Sequence, residues 1–203
     1  MELTFPRLHL VTGVRPLATV RAAVQVAAPG ELGVQVRVED EVTDREAYEL
    51  TLAVLAVCRP AGVLCLVNDR VDVAVAVGAD GAHVGADDLP VQAARAVLGP
   101  AAVLGVTCRF PVDGRAAVAA GATYLGVGPA YATCTKAGLP APIGPAGIGA
   151  VAAAVGCPVV AIGGVTPERV PELRGSGAYG VAVVGAVARD PKRVTAAFLR
   201  ALA

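Results

Sequence analysis

Two aspartates are the first residues of this sequence that could do chemistry. Asp69 and Asp88 each follow a short apolar run that is typical of a strand, and the carboxyl ends of neighbouring parallel strands meet at one edge of a sheet. Such a pair suits a hard divalent cation that keeps several waters and takes further ligands from a phosphate. Either aspartate could instead cap the helix that follows it. The pair therefore predicts a metal site, with helix capping as the alternative.

A second group of residues could bind phosphate. Thr133, Thr135 and Lys136 place two hydroxyls and one ammonium within four positions, and such groups hold phosphate oxygens well. Polarity of an ordinary loop would explain any one of them taken alone. Together they predict an anion pocket beside the aspartates.

A third group offers backbone amides in place of side chains. Gly163 and Gly164 follow one apolar run and Gly185 follows the next, and amides at the starts of short helices can cup a phosphate. Tight turns that need positive φ would explain these glycines equally well. Two anion pockets would suit the joining of two phosphorylated molecules, with one phosphate group leaving and the other serving as a handle.

The elements that position these residues follow from an alternation of short apolar runs with Ala-rich, charged segments at helical spacing. Strands are predicted at 8–12, 33–38, 62–67, 82–85, 103–107, 124–128, 159–162 and 180–184, and helices at 16–27, 44–58, 71–77, 90–98, 112–119, 145–154, 167–173 and 191–201. Most of the runs are continuously apolar, as expected for strands covered on both faces. Eight units without a linker predict an α/β fold, a single (β/α)8 TIM barrel over residues 1–203; an open doubly wound sheet is the alternative.

Composition restricts the classes of partner. Seventeen basic and seventeen acidic residues cancel, so no overall field favours nucleic acid or an anionic membrane. No apolar run is long enough to span a bilayer, the first residues lack a signal peptide, and the five cysteines form no CxxC pair. We therefore expect a cytoplasmic protein that acts on small molecules, with no nucleic-acid or membrane partner. A homo-oligomer stays open.

Six segments, in order and spacing, resemble the thiamine phosphate synthase family, which is related to the thiazole tautomerases. The resemblance covers nearly the whole chain and is carried by residues 8–12, 34–37, 68–72 with 78–85, 87–90, 126–129 with 133–136, and 162–167. It implies the coupling of hydroxymethylpyrimidine diphosphate with hydroxyethylthiazole phosphate to give thiamine phosphate and pyrophosphate. It also implies a Mg²⁺-assisted dissociative substitution in which no side chain acts as a nucleophile.

The resemblance implies a role for each candidate residue. Asp69 and Asp88 would hold Mg²⁺, while Arg37, Lys136 and Thr107 would be the catalytic residues that stabilise charge on the leaving group. The substrate-binding residues would be Gln35, Arg37, Asn68, Thr133, Thr135, Lys136, Ile162, Gly164, Val184 and Gly185. We expect His83, which lies inside a strand run, to be packed or hydrogen-bonded and not a catalyst.

Several positions depart from the family pattern. Glu39 stands where the family has a basic residue and would repel the leaving pyrophosphate, whereas Arg109 could restore the missing positive charge. On that hypothesis, Arg109→Ala weakens pyrophosphate binding. Two alternatives follow from such departures: a thiazole tautomerase-like relative, which would use a histidine that the fifth-strand loop lacks, and a noncatalytic phosphate-binding barrel.

Overall fold

The computed structural model describes residues 5–13, 16–39, 41–133 and 138–203. Within them, eight parallel strands pair in chain order, and the last pairs with the first to close a barrel. The strands are β1 Leu8–Val11, β2 Leu32–Val36, β3 Leu64–Asn68, β4 Gly81–Val84, β5 Val103–Cys108, β6 Tyr124–Val127, β7 Val159–Ile162 and β8 Gly180–Val183. The prediction of a (β/α)8 barrel is confirmed, and the open sheet is excluded because both of its edges would have to be unpaired.

A helix follows each strand and returns the chain to the start of the next one. The helices are α1 Pro16–Val24, α2 Asp44–Cys58, α3 Val71–Val77, α4 Val91–Leu98, α5 Pro111–Ala119, α6 Gly144–Ala152, α7 Val170–Gly175 and α8 Pro191–Leu202. No helix of the described ranges combines the length and the apolar character that a bilayer span requires.

The largest difference from the predicted boundaries lies after β7. The chain there forms a 3-10 turn, Pro167–Arg169, before α7 begins at Val170, whereas the sequence predicts one helix over 167–173. An α-helix beginning at Pro167 would need the amide of Pro171 to bond the Pro167 carbonyl, and proline has no such amide. The helix therefore starts later.

Residues along each strand alternate between the helix layer and the barrel interior. Leu8, Leu10 and their equivalents in the other strands pack with the helices in the main core, whereas Val11, Leu66 and Tyr124 belong to a second cluster inside the barrel. This alternation decides which residues at the strand ends look into the mouth of the barrel.

Two interior glycines make room for large polar rings. A Cβ at Gly105 would overlap the Tyr124 ring and the His83 imidazole, and one at Gly126 would lie 2.9 Å from His83 Cε1. His9, His83 and Tyr124 are all buried, and the ring centroids of the two histidines lie 5.3 and 5.5 Å from that of Tyr124. The interior is therefore filled by aromatic and imidazole rings as well as by aliphatic side chains.

Candidate active site

Five of the predicted site residues lie on the interior face of the barrel at the carboxyl ends of their strands. Each has neighbours in the chain that pack with the helices, so period-2 alternation turns its own side chain inward. The five are Gln35, Asn68, Thr107, Ile162 and Val184. The structure brings them together around one mouth, and their proposed roles in binding stay predictions.

Arg37 is held at this mouth by a residue from the neighbouring strand. The Thr12 hydroxyl accepts the Arg37 backbone N–H at 2.8 Å and donates to the Arg37 carbonyl at 3.1 Å, and the Thr12 N–H donates to the Gln35 carbonyl at 2.9 Å. Thr12 is itself buried. Thr12, which directly follows β1, therefore positions the backbone of both Gln35 and Arg37.

Glu39 lies beside the guanidinium of Arg37. Its Oε2 is 3.5 Å from Arg37 Nη2, and the Glu39 side chain is 69% exposed while that of Arg37 is 25% exposed. An incoming diphosphate would have to compete with this carboxylate for Arg37. The structure thus gives the Glu39 departure a specific partner.

The two predicted metal ligands are both hydrogen-bonded to the backbone at the end of β4. The backbone N–H of Asp69 donates to the His83 carbonyl at 2.8 Å, and Asp88 Oδ2 accepts the Gly85 N–H at 2.7 Å. Asp69 also has φ +63°, a conformation that non-glycine residues seldom adopt. The Asp69 backbone and the Asp88 carboxylate are thus both held at the end of β4.

Capping does not explain Asp88. The residue at the start of α4 is Pro90, and no side-chain cap bond is made there. Asp88 reaches back to Gly85 and not forward into the helix. Within the described residues, its second oxygen, Oδ1, makes no hydrogen bond, which leaves it available to a cation.

The glycines after β7 are required by close packing as well as by conformation. Gly163 and Gly164 have φ +95° and +62°, and a Cβ at Gly164 would lie 2.5 Å from the Ala132 carbonyl oxygen and 2.9 Å from Tyr131 Cβ. The loop after β6 runs alongside them, since the Tyr131 N–H donates to the Gly163 carbonyl at 3.0 Å. Thr133, at the end of the described part of that loop, follows directly, while Thr135 and Lys136 lie outside the described residues.

Comparison with known proteins agrees with this architecture. Residues 8–187 match the family model described as thiamine monophosphate synthase. The chain is 63% identical to a thiamine-phosphate synthase of Salinispora arenicola and 61% identical to one of Salinispora tropica, each over 97% of both chains. It superposes on the thiamine phosphate pyrophosphorylase of Pyrococcus furiosus with a TM-score of 0.84 and 30% identity, covering 97% of this chain and 95% of the other.

The chain belongs to the thiamine monophosphate synthase family. The resemblance that the sequence segments indicate is thereby confirmed.

In this family member, Arg109 has a structural role at the loop that carries the phosphate-binding candidates. Its Nη2 donates to the Ala141 carbonyl at 3.0 Å and its Nη1 to the Gly128 carbonyl at 3.5 Å. These two carbonyls lie on either side of Thr133, Thr135 and Lys136 in the chain. Arg109 therefore joins the two ends of the loop, and Arg109→Ala would loosen it as well as remove a charge.

The glycine after β8, predicted to offer its amide to a phosphate, begins a short turn. Gly185 is exposed at the start of a 3-10 turn, Gly185–Val187, so its amide belongs to a short turn and not to the α-helix that follows. A short extra helix at this place is the usual phosphate site of barrels. Gly164 likewise precedes a 3-10 turn.

Sequence reasoning missed two residues that contact site candidates or their neighbours. It names Thr12 only as the end of a strand, and it gives Tyr124 no role beyond a strand start, although Tyr124 is hydrogen-bonded to His83 at the centre of the barrel. Both act through partners that are distant in the chain. No local pattern signals either of them.

Proposed function

We propose that this chain is a transferase of thiamine biosynthesis that couples hydroxymethylpyrimidine diphosphate with hydroxyethylthiazole phosphate, giving thiamine phosphate and pyrophosphate. The relatives named thiamine-phosphate synthase, matched over nearly their whole length, support the reaction. The observation that supports it in the structure is that the Asp69 backbone and the Asp88 carboxylate are both hydrogen-bonded at the end of β4. The glycine turn after β7 lies across the mouth from them.

The two halves of the mouth suit the two substrates. Arg37, Thr107 and Lys136 would neutralise the charge that develops when the bond between the pyrimidine methylene and the diphosphate oxygen breaks, its electron pair leaving with pyrophosphate. Gln35 and Asn68 would orient the pyrimidine diphosphate. Gly164 and Gly185 would hold the thiazole phosphate by their amides, so that the thiazole nitrogen forms the new bond to the methylene carbon.

Mg²⁺ is part of the proposal. No cluster of three or more His, Cys, Asp or Glu side chains able to hold a metal occurs in the described ranges, so the ion would use two carboxylates, waters and diphosphate oxygens. That ligand set is the one Mg²⁺ prefers. Its chemistry would be the neutralisation of the departing pyrophosphate.

The decisive experiment incubates the purified chain with both substrates and Mg²⁺ and measures thiamine phosphate and pyrophosphate in equal amounts. Omission of Mg²⁺ and the double variant Asp69→Asn/Asp88→Asn are the controls, and each should remove most of the turnover. Absence of product, combined with retained binding of the thiazole phosphate, would contradict the proposal and favour a tautomerase-like relative or a noncatalytic binder.

The structure gives no support to the tautomerase alternative. Both histidines of the chain are buried in the barrel, with 2% of the His9 residue and 8% of the His83 residue exposed, and both ring nitrogens of His83 are hydrogen-bonded. The partners of this function would be small phosphorylated molecules. We propose that the protein works in the cytoplasm, a location that cell fractionation would test.

A further inference from the structure

Three polar groups form a hydrogen-bonded chain from the barrel interior to the mouth. The Tyr124 hydroxyl lies 2.8 Å from His83 Nδ1, and His83 Nε2 lies 2.9 Å from Thr107 Oγ1. Tyr124 and His83 are buried, whereas Thr107 is exposed at the mouth. The chain thus connects a closed interior to the surface on which the diphosphate substrate would bind.

The packing leaves these rings little freedom. Gly105 and Gly126 face His83 with no side chain between, and any Cβ there would touch or overlap the imidazole. On its other side the Tyr124 ring is tilted against Phe5, with centroids 5.0 Å apart. The imidazole cannot rotate away without displacing these neighbours.

The donor in the Tyr124–His83 hydrogen bond can be assigned from the available partners. Among the described residues, the only hydrogen bond of the Tyr124 hydroxyl is the one to His83. If His83 Nδ1 were the donor, the phenol hydrogen would be buried without an acceptor, at a substantial free-energy cost. The phenol therefore donates to Nδ1, and the proton of the neutral imidazole sits on Nε2.

The same bonds fix the number of protons on the ring. A phenol that donates to Nδ1 requires that nitrogen to carry no proton, so His83 is neutral here and its single ring proton is the one on Nε2 that faces Thr107.

We propose that Tyr124 and His83 are positioning residues that orient the Thr107 hydroxyl as a hydrogen-bond donor to a phosphate oxygen of the diphosphate substrate. Because Nε2–H donates to Thr107 Oγ1, the hydrogen of that hydroxyl is left for the substrate, and the accepted bond makes the hydroxyl a better donor. The inference rests on the proposed function and extends the site into the barrel interior.

The kinetic test is a double-mutant cycle between Tyr124 and Thr107. Thr107→Val removes the hydroxyl and should lower kcat about 100-fold, the effect of losing one donor to developing charge; Thr107→Ser should keep most of the rate. Tyr124→Phe should lower kcat roughly fivefold to tenfold with little change in KM for the thiazole phosphate. In the Thr107→Val background, Tyr124→Phe should change kcat by less than about twofold.

A matched control removes a different tyrosine hydroxyl. Tyr179 donates to the Phe5 carbonyl near the start of β1, so Tyr179→Phe loses a hydroxyl bond inside the same fold but outside the proposed chain. It should leave kcat unchanged. A fall in kcat equal to that of Tyr124→Phe would mean that both act only on the fold, and would overturn the proposal.

A spectroscopic readout separates this inference from the proposed function. The chain has two histidines, so His9→Phe identifies the nitrogen NMR signals of His83. A protonated Nε2 and a bare Nδ1 in the wild type, with a mixed tautomer in Tyr124→Phe, is the expected result. A protonated Nδ1 in the wild type would overturn the proposal, even if the chain showed no turnover and the proposed function had failed.

Discussion

Individual charged side chains at the mouth of the barrel would determine how tightly a diphosphate binds. Arg37 is only partly exposed and its backbone is held by Thr12, so its guanidinium is presented in a restricted position. Glu39 forms an ion pair with it, and the Asp88 carboxylate is held at the end of β4 by the Gly85 N–H. Substitutions that remove one charge and keep the shape are therefore the informative ones at this scale.

Glu39→Gln should lower KM for the pyrimidine diphosphate. The amide keeps the size of the side chain but no longer competes for Arg37, and because Glu39 is largely exposed the gain should be only about twofold to fivefold. Steady-state kinetics at low salt would measure it. Glu41→Gln is the control, since Glu41 is exposed and makes no ion pair within the described residues; an equal effect there would point to general charge and not to Arg37.

Asp88→Asn should separate metal binding from structure. The amide oxygen can still accept the Gly85 N–H, so the free energy of unfolding should change by less than about 1 kcal/mol. The Mg²⁺-dependent rate should fall roughly 100-fold. Asp87→Asn, an exposed neighbour, should leave the rate unaltered. An Asp88→Asn variant with full Mg²⁺-dependent activity would remove Asp88 from the site.

At the scale of the elements, β5 and β6 owe their interior surface to missing side chains. Gly105 on β5 makes space for the rings of Tyr124 and His83, and Gly126 on β6 makes space for the His83 ring. The two glycines and the two rings therefore pack together inside the barrel. Small and large interior residues on neighbouring strands are therefore matched in size, and enlarging one of the glycines would displace the rings beside it.

Gly105→Ala should destabilise the fold because the new methyl group overlaps two buried rings. We expect a loss of about 3 kcal/mol in the free energy of unfolding, measured by urea denaturation. Gly156→Ala is the matched control: Gly156 has no positive φ and no atom within 4 Å of an added Cβ, so a change below about 0.5 kcal/mol is expected. Equal effects of the two substitutions would contradict this account of the interior.

For the molecule as a whole, the buried histidines make stability depend on pH. Burial lowers the pKa of His9 to about 4 from its ordinary value of 6.5, opposed by its hydrogen bond to the Pro6 carbonyl, and burial is also the main cause that lowers the pKa of His83 to about 4. At pH values between about 4 and 6.5, the two histidines bind protons in the unfolded chain but not in the folded chain. The free energy of unfolding should therefore fall as pH falls from about 6.5 to about 4.

The size of this loss should be on the order of 3 kcal/mol for each histidine, from a pKa change of about 2.5 units. Urea denaturation at a series of pH values would measure it. His9→Phe replaces one titrating ring with a ring that does not titrate, and should remove about half of the loss relative to its own stability at pH 7. An unchanged slope in that variant would show that other groups cause the acid sensitivity.

The barrel and the candidate residues at its mouth could be predicted from the sequence. Eight apolar runs, each followed by a helical segment, are local patterns, and Gln35, Asn68 and Thr107 lie in or directly after such runs, which already predicts their place at the carboxyl ends of strands. The position of Asp69 and Asp88 after two such runs predicts a metal site with helix capping as the alternative, and family resemblance supplied the reaction.

The contacts of those residues could not be predicted from the sequence, because they form only in the closed barrel. The bond of Asp88 to Gly85, the support of Arg37 by Thr12 and the chain from Tyr124 through His83 to Thr107 all depend on the register of neighbouring strands in a closed barrel. Register is set when the whole ring of strands closes, and it brings together residues that are far apart in the chain. Contacts that depend on register in this way cannot be predicted from the residues that neighbour them in the sequence.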